Sequence, residues 1–236
     1  MSFQSERLVI GHRGAAGLAP ENTLAGFARA AALGVHGVEL DVRCVDGRLL
    51  VIHDDRVDRT TSGSGDLHSF CIERLRALDA GDGQPIPFME EVFDALPPEV
   101  GINVEMKGPK TAAPVSSMLR EFGNRQRDVL VSAFNLDELR RFAERARGDV
   151  PLAPLFQRWH AGIPEVASEL RAWSVNLGIR AATQQRIEAL RSRGFRVLVH
   201  TVNRPVDAER LFSWGATGIF TDFPDRMIPA VAAARD

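Results

Sequence analysis

Glu39 and Asp41 stand in a run, Val38-Glu39-Leu40-Asp41-Val42, in which acids alternate with apolar residues. On a strand this pattern points both carboxylates to one face and the apolar side chains to the other. Two carboxylates a few ångströms apart repel unless a proton or a cation lies between them. Glu105, in Asn103-Val104-Glu105-Met106-Lys107, is a third acid that shares a strand face with Asn103 and Lys107. Oxygen ligands without thiolates or a histidine cluster favour a hard divalent metal, Mg²⁺ or Ca²⁺, over structural zinc. Upstream, Val9-Ile10-Gly11-His12-Arg13-Gly14 ends an apolar strand in an imidazole and a guanidinium between glycines, where the chain can turn sharply and let a ligand approach. Leu50-Val51-Ile52-His53-Asp54 brings a second histidine to a strand end. A metal-holding acid set, a forked guanidinium in Arg13 and a point charge in Lys107 suit phosphate esters, although Lys107 also fits a structural ion pair. Each of these residues alone reads as an ordinary solvated or hydrogen-bonded group; their convergence at strand ends marks a site.

The elements that must position them follow a regular rhythm. Strands are expected to start near residues 8, 37, 101, 129, 152, 172, 196 and 218, each followed by a helical pattern, which is a (β/α)8 TIM barrel, an α/β fold. Active sites of such barrels lie at the C-terminal ends of the strands, where His12, Glu39, Asp41, Glu105, Lys107 and His200 all fall. The competing doubly wound sheet wants a Gly-rich phosphate fingerprint after its first strand, and Gly11-His12-Arg13-Gly14 is not one. Pro20-Glu21-Asn22-Thr23 opens the first helix, with Glu21 and Asn22 either capping it or lying beside the site. Asp46-Gly47 is a hairpin turn that returns a strand ending at His53. Residues 56–84 are polar and Gly-rich around one short helical stretch, and read as an insertion over the barrel mouth. The whole chain, 1–236, is expected to form one domain around the barrel.

His12-Arg13-Gly14-Ala15, Pro20-Glu21-Asn22-Thr23, Glu39-Leu40-Asp41-Val42, Asp46-Gly47 and His53-Asp54 resemble, in order and spacing, the glycerophosphodiester phosphodiesterase family, close to its bacterial cytoplasmic branch. The resemblance implies metal-dependent hydrolysis of glycerophosphodiesters to sn-glycerol 3-phosphate and an alcohol. It assigns acid-base catalysis to His12 and His53, catalytic and substrate-binding charge to Arg13 and Lys107, and metal binding to Glu39, Asp41 and Glu105. It also makes the 56–84 insertion a cap that shapes the substrate pocket. Phe134, His200 and Phe220 are further substrate-binding candidates, and Phe156, Trp159 and Phe223 are candidate pocket walls, each of these aromatic residues serving more often as core than as contact. One departure stands out: a strand that in the family ends Trp-Thr-Val-Asn here ends His200-Thr201-Val202-Asn203, exchanging a flat apolar wall for a smaller, titratable ring. Substrate range is the property this departure puts in doubt. Lysophospholipid cleavage by the same site, a barrel that binds phosphate esters without turnover, and a metal serving only stability stay open as alternatives.

Composition agrees with a soluble enzyme. At 236 residues, 44% hydrophobic and 25% charged, with a formal net charge of -2, the chain offers no general attraction to nucleic acid or to an anionic membrane surface. No apolar run suggests a signal peptide or stable membrane insertion, so a cytoplasmic monomer or homodimer is expected. Cys44 and Cys71 are too few for a disulfide framework and are expected as free, buried thiols.

Overall fold

The structure is a computed structural model that describes residues 2–122 and 128–233. Its strands are β1 (Leu8–Gly11), β2 (Gly37–Val45), β3 (Arg48–Val51), β4 (Gly101–Met106), β5 (Val129–Ala133), β6 (Leu152–Phe156), β7 (Ser174–Gly178), β8 (Arg196–His200) and β9 (Gly218–Thr221). The helices are α1 (Leu24–Ala32), α2 (Ile72–Arg76), α3 (Met89–Ala95), α4 (Ala112–Phe122), α5 (Leu136–Ala146), α6 (Ile163–Glu169), α7 (Gln184–Arg191), α8 (Pro205–Ser213) and α9 (Pro224–Ala233). Parallel pairing runs β1-β9-β8-β7-β6-β5-β4-β2, and β1 pairs back onto β2, so the sheet closes into the expected (β/α)8 barrel rather than an open doubly wound sheet. β3 lies outside the ring, antiparallel to the end of β2 through a turn in which Asp46 and Gly47 both take positive φ. The Ala-rich end of the last helix, beyond residue 233, lies outside the described residues.

Period-2 alternation divides the strands' side chains between two cores. Val197, Val199, Ile219 and Val175 face outward and are buried under the helices, whereas Leu8, Ile10, Leu130, Ala153, Leu198 and Phe220 fill the barrel interior with Phe3. Burial of these side chains, at roughly 1.5–3 kcal/mol each, holds the frame rigid beneath the mouth. Residues 56–84, with β3 beside them, have an apolar cluster of their own: Leu50, Ile52, Val57, Leu67, Leu75 and Ile86. β7 begins two residues later than its apolar pattern suggests, because Ala172 N–H still bonds the carbonyl of Ala167 and Arg171 takes φ 49°, prolonging the end of α6. The cysteines correct the expectation: both are free, but Cys44 is half-buried and Cys71 is exposed. Among the described residues no helix is long and apolar enough to cross a membrane.

Candidate active site

β2 and β4 are neighbours in the ring, with Asp41 opposite Glu105 and Glu39 opposite Asn103. This register brings Glu39, Asp41 and Glu105 together with one oxygen of each within 4.8 Å of the others, all three residues buried. Glu39 Oε1 has no hydrogen-bond partner among the described residues, and Asp41 Oδ1 and Glu105 Oε1 face the Lys107 ammonium. Three converging buried carboxylates, one of them with an unpaired oxygen, fit a hard divalent cation. Lys107 Nζ, 3.3 Å from Asp41 Oδ1 and paired with Glu105, supplies the positive charge on one side, so the ion pair considered for it is present. Burial and the Asp41 charge push Glu39 up to about 8 and Glu105 up to about 6. Burial also opposes ionisation of Asp41, but Lys107 and Arg13 outweigh it and hold that carboxyl below its usual range.

The turn after β1 presents His12 and Arg13. A Cβ on Gly11 would lie 2.3 Å from the Gly14 carbonyl oxygen, and Gly14 itself has φ 84°, so only glycines allow this bend. Arg13 N–H donates to Glu39 Oε2 at 2.8 Å, and its guanidinium reaches Glu21 at 2.8 Å and Asp41 Oδ2 at 3.2 Å. The cap of α1 is Thr23, which accepts from Gly26 N–H, and this frees Glu21 and Asn22 from the capping role considered for them. Asn22 instead clasps Asp41: its Nδ2 donates to Oδ2 at 2.9 Å and its Oδ1 accepts from the Asp41 N–H at 3.2 Å.

Each histidine leans on a carboxylate. His12 Nδ1 lies 2.7 Å from Asp222 Oδ1, just after β9, and Asn203 Nδ2 donates to Asp222 Oδ2 at 2.6 Å. Burial disfavours the His12 imidazolium, yet the Asp222 contact and Glu39 prevail and raise its pKa. His53 Nδ1 lies 2.5 Å from Asp54, whose other oxygen accepts from Arg59 Nε at 2.6 Å. Arg59 also donates twice to Glu21 at 2.8 Å, so the 56–84 segment is tied by one side chain to the acids flanking the site. Burial and the nearby Lys107 keep His53 below the usual imidazole range despite Asp41.

The aromatic candidates separate. Phe134, 42% exposed, meets His200 edge-on at 5.7 Å, and Phe220 meets it at 6.4 Å from inside the barrel. Lys107 Nζ sits 5.5 Å from the Phe134 ring centre, which joins this aromatic group to the acidic one. Phe156 belongs to the outer core, Trp159 packs against that core under Arg186, and Phe223 packs where any side chain on Gly17 would go. Asn22 thus takes the second of the two roles considered for it, beside the site, whereas Asp222 and Asn203 were not singled out by sequence reasoning. Only the position of Asp222 and Asn203 just past strand ends, the same criterion that selected His12, could have found them.

The glycerophosphoryl diester phosphodiesterase family model matches residues 12–226. A glycerophosphodiester phosphodiesterase of Caldanaerobacter subterraneus subsp. tengcongensis is 34% identical over 95% of this chain and 97% of its own. One from Bacillus subtilis is 28% identical over 92% of this chain and 84% of its own. Among solved structures, an Oleispira antarctica phosphodiesterase in complex with the product sn-glycerol-3-phosphate superposes with a TM-score of 0.91 at 27% identity, covering 95% of this chain and 96% of that one. The family match takes in every acid and histidine just described, and on that ground the chain belongs to the glycerophosphoryl diester phosphodiesterase family.

Proposed function

We propose that the chain hydrolyses glycerophosphodiesters to sn-glycerol 3-phosphate and a free alcohol, with His12 and His53 as the acid-base pair and a divalent cation, Mg²⁺ or Ca²⁺, held by Glu39, Asp41 and Glu105. The observation that carries this reading is the meeting of three buried carboxylates and two histidines, each oriented by an aspartate, at one end of the barrel. The cation, when bound, supplies a Lewis acid for a non-bridging phosphate oxygen. Arg13 and Lys107 add positive charge where the phosphorane-like transition state gathers negative charge, and their ion pairs hold them in place beforehand. Cleavage requires one proton removed from the attacking oxygen and one delivered to the departing alkoxide. His12 and His53 present their Nε2 atoms for these steps because Nδ1 of each is engaged by Asp222 or Asp54.

The direct test is release of glycerol 3-phosphate from glycerophosphocholine by the purified protein in EDTA, after Mg²⁺ or Ca²⁺ is restored, and in the His12→Ala variant. Turnover is expected only with metal, and the variant should lose about 10²–10⁴-fold. A folded wild-type protein that releases nothing with either ion would sink the proposal.

The 56–84 segment acts as a cap in this reading, supported by Arg59, which bridges Glu21 and Asp54. Arg59→Ala is expected to raise KM by up to about 10-fold and to leave metal affinity unchanged, because it loosens the pocket wall without touching Glu39, Asp41 or Glu105. Unaltered KM would remove the cap from the account.

A further inference from the structure

His200 departs from the resemblance at the barrel mouth, and its surroundings are specific. On β8, Leu198 faces the barrel interior and Val197 and Val199 face the helices, so His200 at the strand's end points inward over the mouth. Its ring touches Phe134, which follows β5, and these two strands are separated in the ring by β6 and β7. The contact therefore spans the opening rather than lining one wall. Phe220 closes the third side. Nε2 of His200 is buried and has no hydrogen-bond partner among the described residues. Burial, with His12 and Lys107 nearby, pushes the imidazole down to about 3, so the ring is neutral and presents one donor and one acceptor nitrogen.

We propose that His200 reads a free hydroxyl on the glycerol arm of the substrate, which makes the site selective for unacylated glycerophosphodiesters over lysophospholipids. The inference rests on the diesterase reading above. A polar ring edge held between phenyl groups is costly while unpaired, and a hydroxyl both donates and accepts, so it satisfies whichever tautomer is present. Lys107 lies between the carboxylates and Phe134, so a diester whose phosphate is held beside Lys107 places one of its two arms within the Phe134, His200 and Phe220 group, and the proposal assigns that arm to the glycerol. An acyl ester on that glycerol removes an O–H and brings a chain into the same space. A tryptophan at this position would offer a broad apolar face and one N–H, and would not discriminate in this way. Sites that hydrogen-bond a substrate hydroxyl reject the analogue lacking it far more strongly than apolar pockets reject an extra group.

The test is kcat/KM of wild type, His200→Phe and His200→Gln on four substrates: glycerophosphocholine, its two deoxy analogues each lacking one glycerol hydroxyl, and a short-chain monomeric 1-acyl lysophosphatidylcholine. Wild type should prefer glycerophosphocholine over one deoxy analogue and over the acyl compound by about 10²-fold or more. His200→Phe should lose about 10- to 100-fold on glycerophosphocholine and little on those two, so that the preference collapses. His200→Gln, which keeps a donor and an acceptor, should retain part of it. If wild type discriminates by less than about two-fold, or if folded His200→Phe keeps the wild-type preference, the inference is overturned. The wild-type panel decides the matter even if the phenylalanine variant does not fold. Failure of wild type to release choline from any of them overturns the diesterase reading instead.

Discussion

Glu39→Gln is expected to abolish turnover and, in the absence of metal, to make the protein more stable. The two effects have one cause. Glu39 is buried beside Asp41 and Glu105, and burial with the Asp41 charge moves its pKa from 4.5 to about 8. A carboxyl raised in the folded state favours the protonated form, so its contribution to stability is fully present below pH 4.5 and lost as pH rises through 8. The other groups sharpen the window. Glu105, raised to about 6, has lost most of its contribution by pH 7, and His53 and His200, both lowered, add nothing further once the pH exceeds 6.5. His12 is raised and works in the same direction as Glu39. In EDTA the wild-type Tm should therefore fall between pH 6.5 and 8.5, and a divalent cation should restore it. Glutamine keeps an oxygen for the Arg13 N–H and removes the charge, so at pH 8 in EDTA its Tm should exceed wild type by several degrees, about 1 kcal/mol being worth roughly 2–4 °C in a chain of this size. Cation affinity should drop together with activity, the latter by at least about 10³-fold given the several kcal/mol of charge stabilisation at stake. Differential scanning fluorimetry at the two pH values, with and without EDTA, reads the first effect, and a flat wild-type profile would contradict it. The site is built against the stability of its own apo state, a trade common where function needs concentrated like charge.

Much of this was legible in the chain, for identifiable reasons. Glu39, Asp41 and Glu105 alternate with apolar neighbours, and period-2 geometry alone puts them on one face of two strands. The barrel was legible because its eight parallel strands each carry an apolar run and a following helix with its own period. What escaped were pairings between distant segments. Asn22 looks like a helix cap in sequence, and only tertiary closure shows Thr23 taking that job and Asn22 holding Asp41. Asp222 meets His12, with Asn203 behind it, because the ring closes β9 onto β1, a contact between opposite ends of the chain that no local pattern encodes. The exposed Cys71 fails for a related reason: it lies in the 56–84 segment, where short elements give no periodicity from which to assign a face.

That closure yields the second large effect, on Asp222→Asn. Asn203 Oδ1 accepts from Thr221 Oγ1 at 3.1 Å and from the Asp222 N–H at 2.9 Å, which leaves its Nδ2 to donate to Asp222 Oδ2. An asparagine at 222 must then give its oxygen to Asn203 and turn its NH₂ toward His12. Nδ1 of His12 can only accept from an NH₂, so the proton moves to Nε2, the nitrogen that the wild type presents to substrate unprotonated whenever the ring is neutral. In the serine protease triad the same aspartate-to-asparagine change leaves the geometry intact and imposes the wrong histidine tautomer, and by that measure kcat is expected to fall by up to about 10⁴-fold. KM and metal affinity should change little, since neither Asp222 nor Asn203 touches the acidic cluster, and the pH-rate limb governed by His12 should shift to lower pH as the charge that raises it is lost. Asp222→Ala, which imposes no tautomer, should be less damaging than Asp222→Asn although it removes more of the side chain. Adding Asn203→Ala to Asp222→Asn should recover activity, because the amide is then free to turn its oxygen to His12. A double variant no better than Asp222→Asn, with folding and metal affinity intact, would reduce Asp222 to a local charge and remove the tautomer from the account.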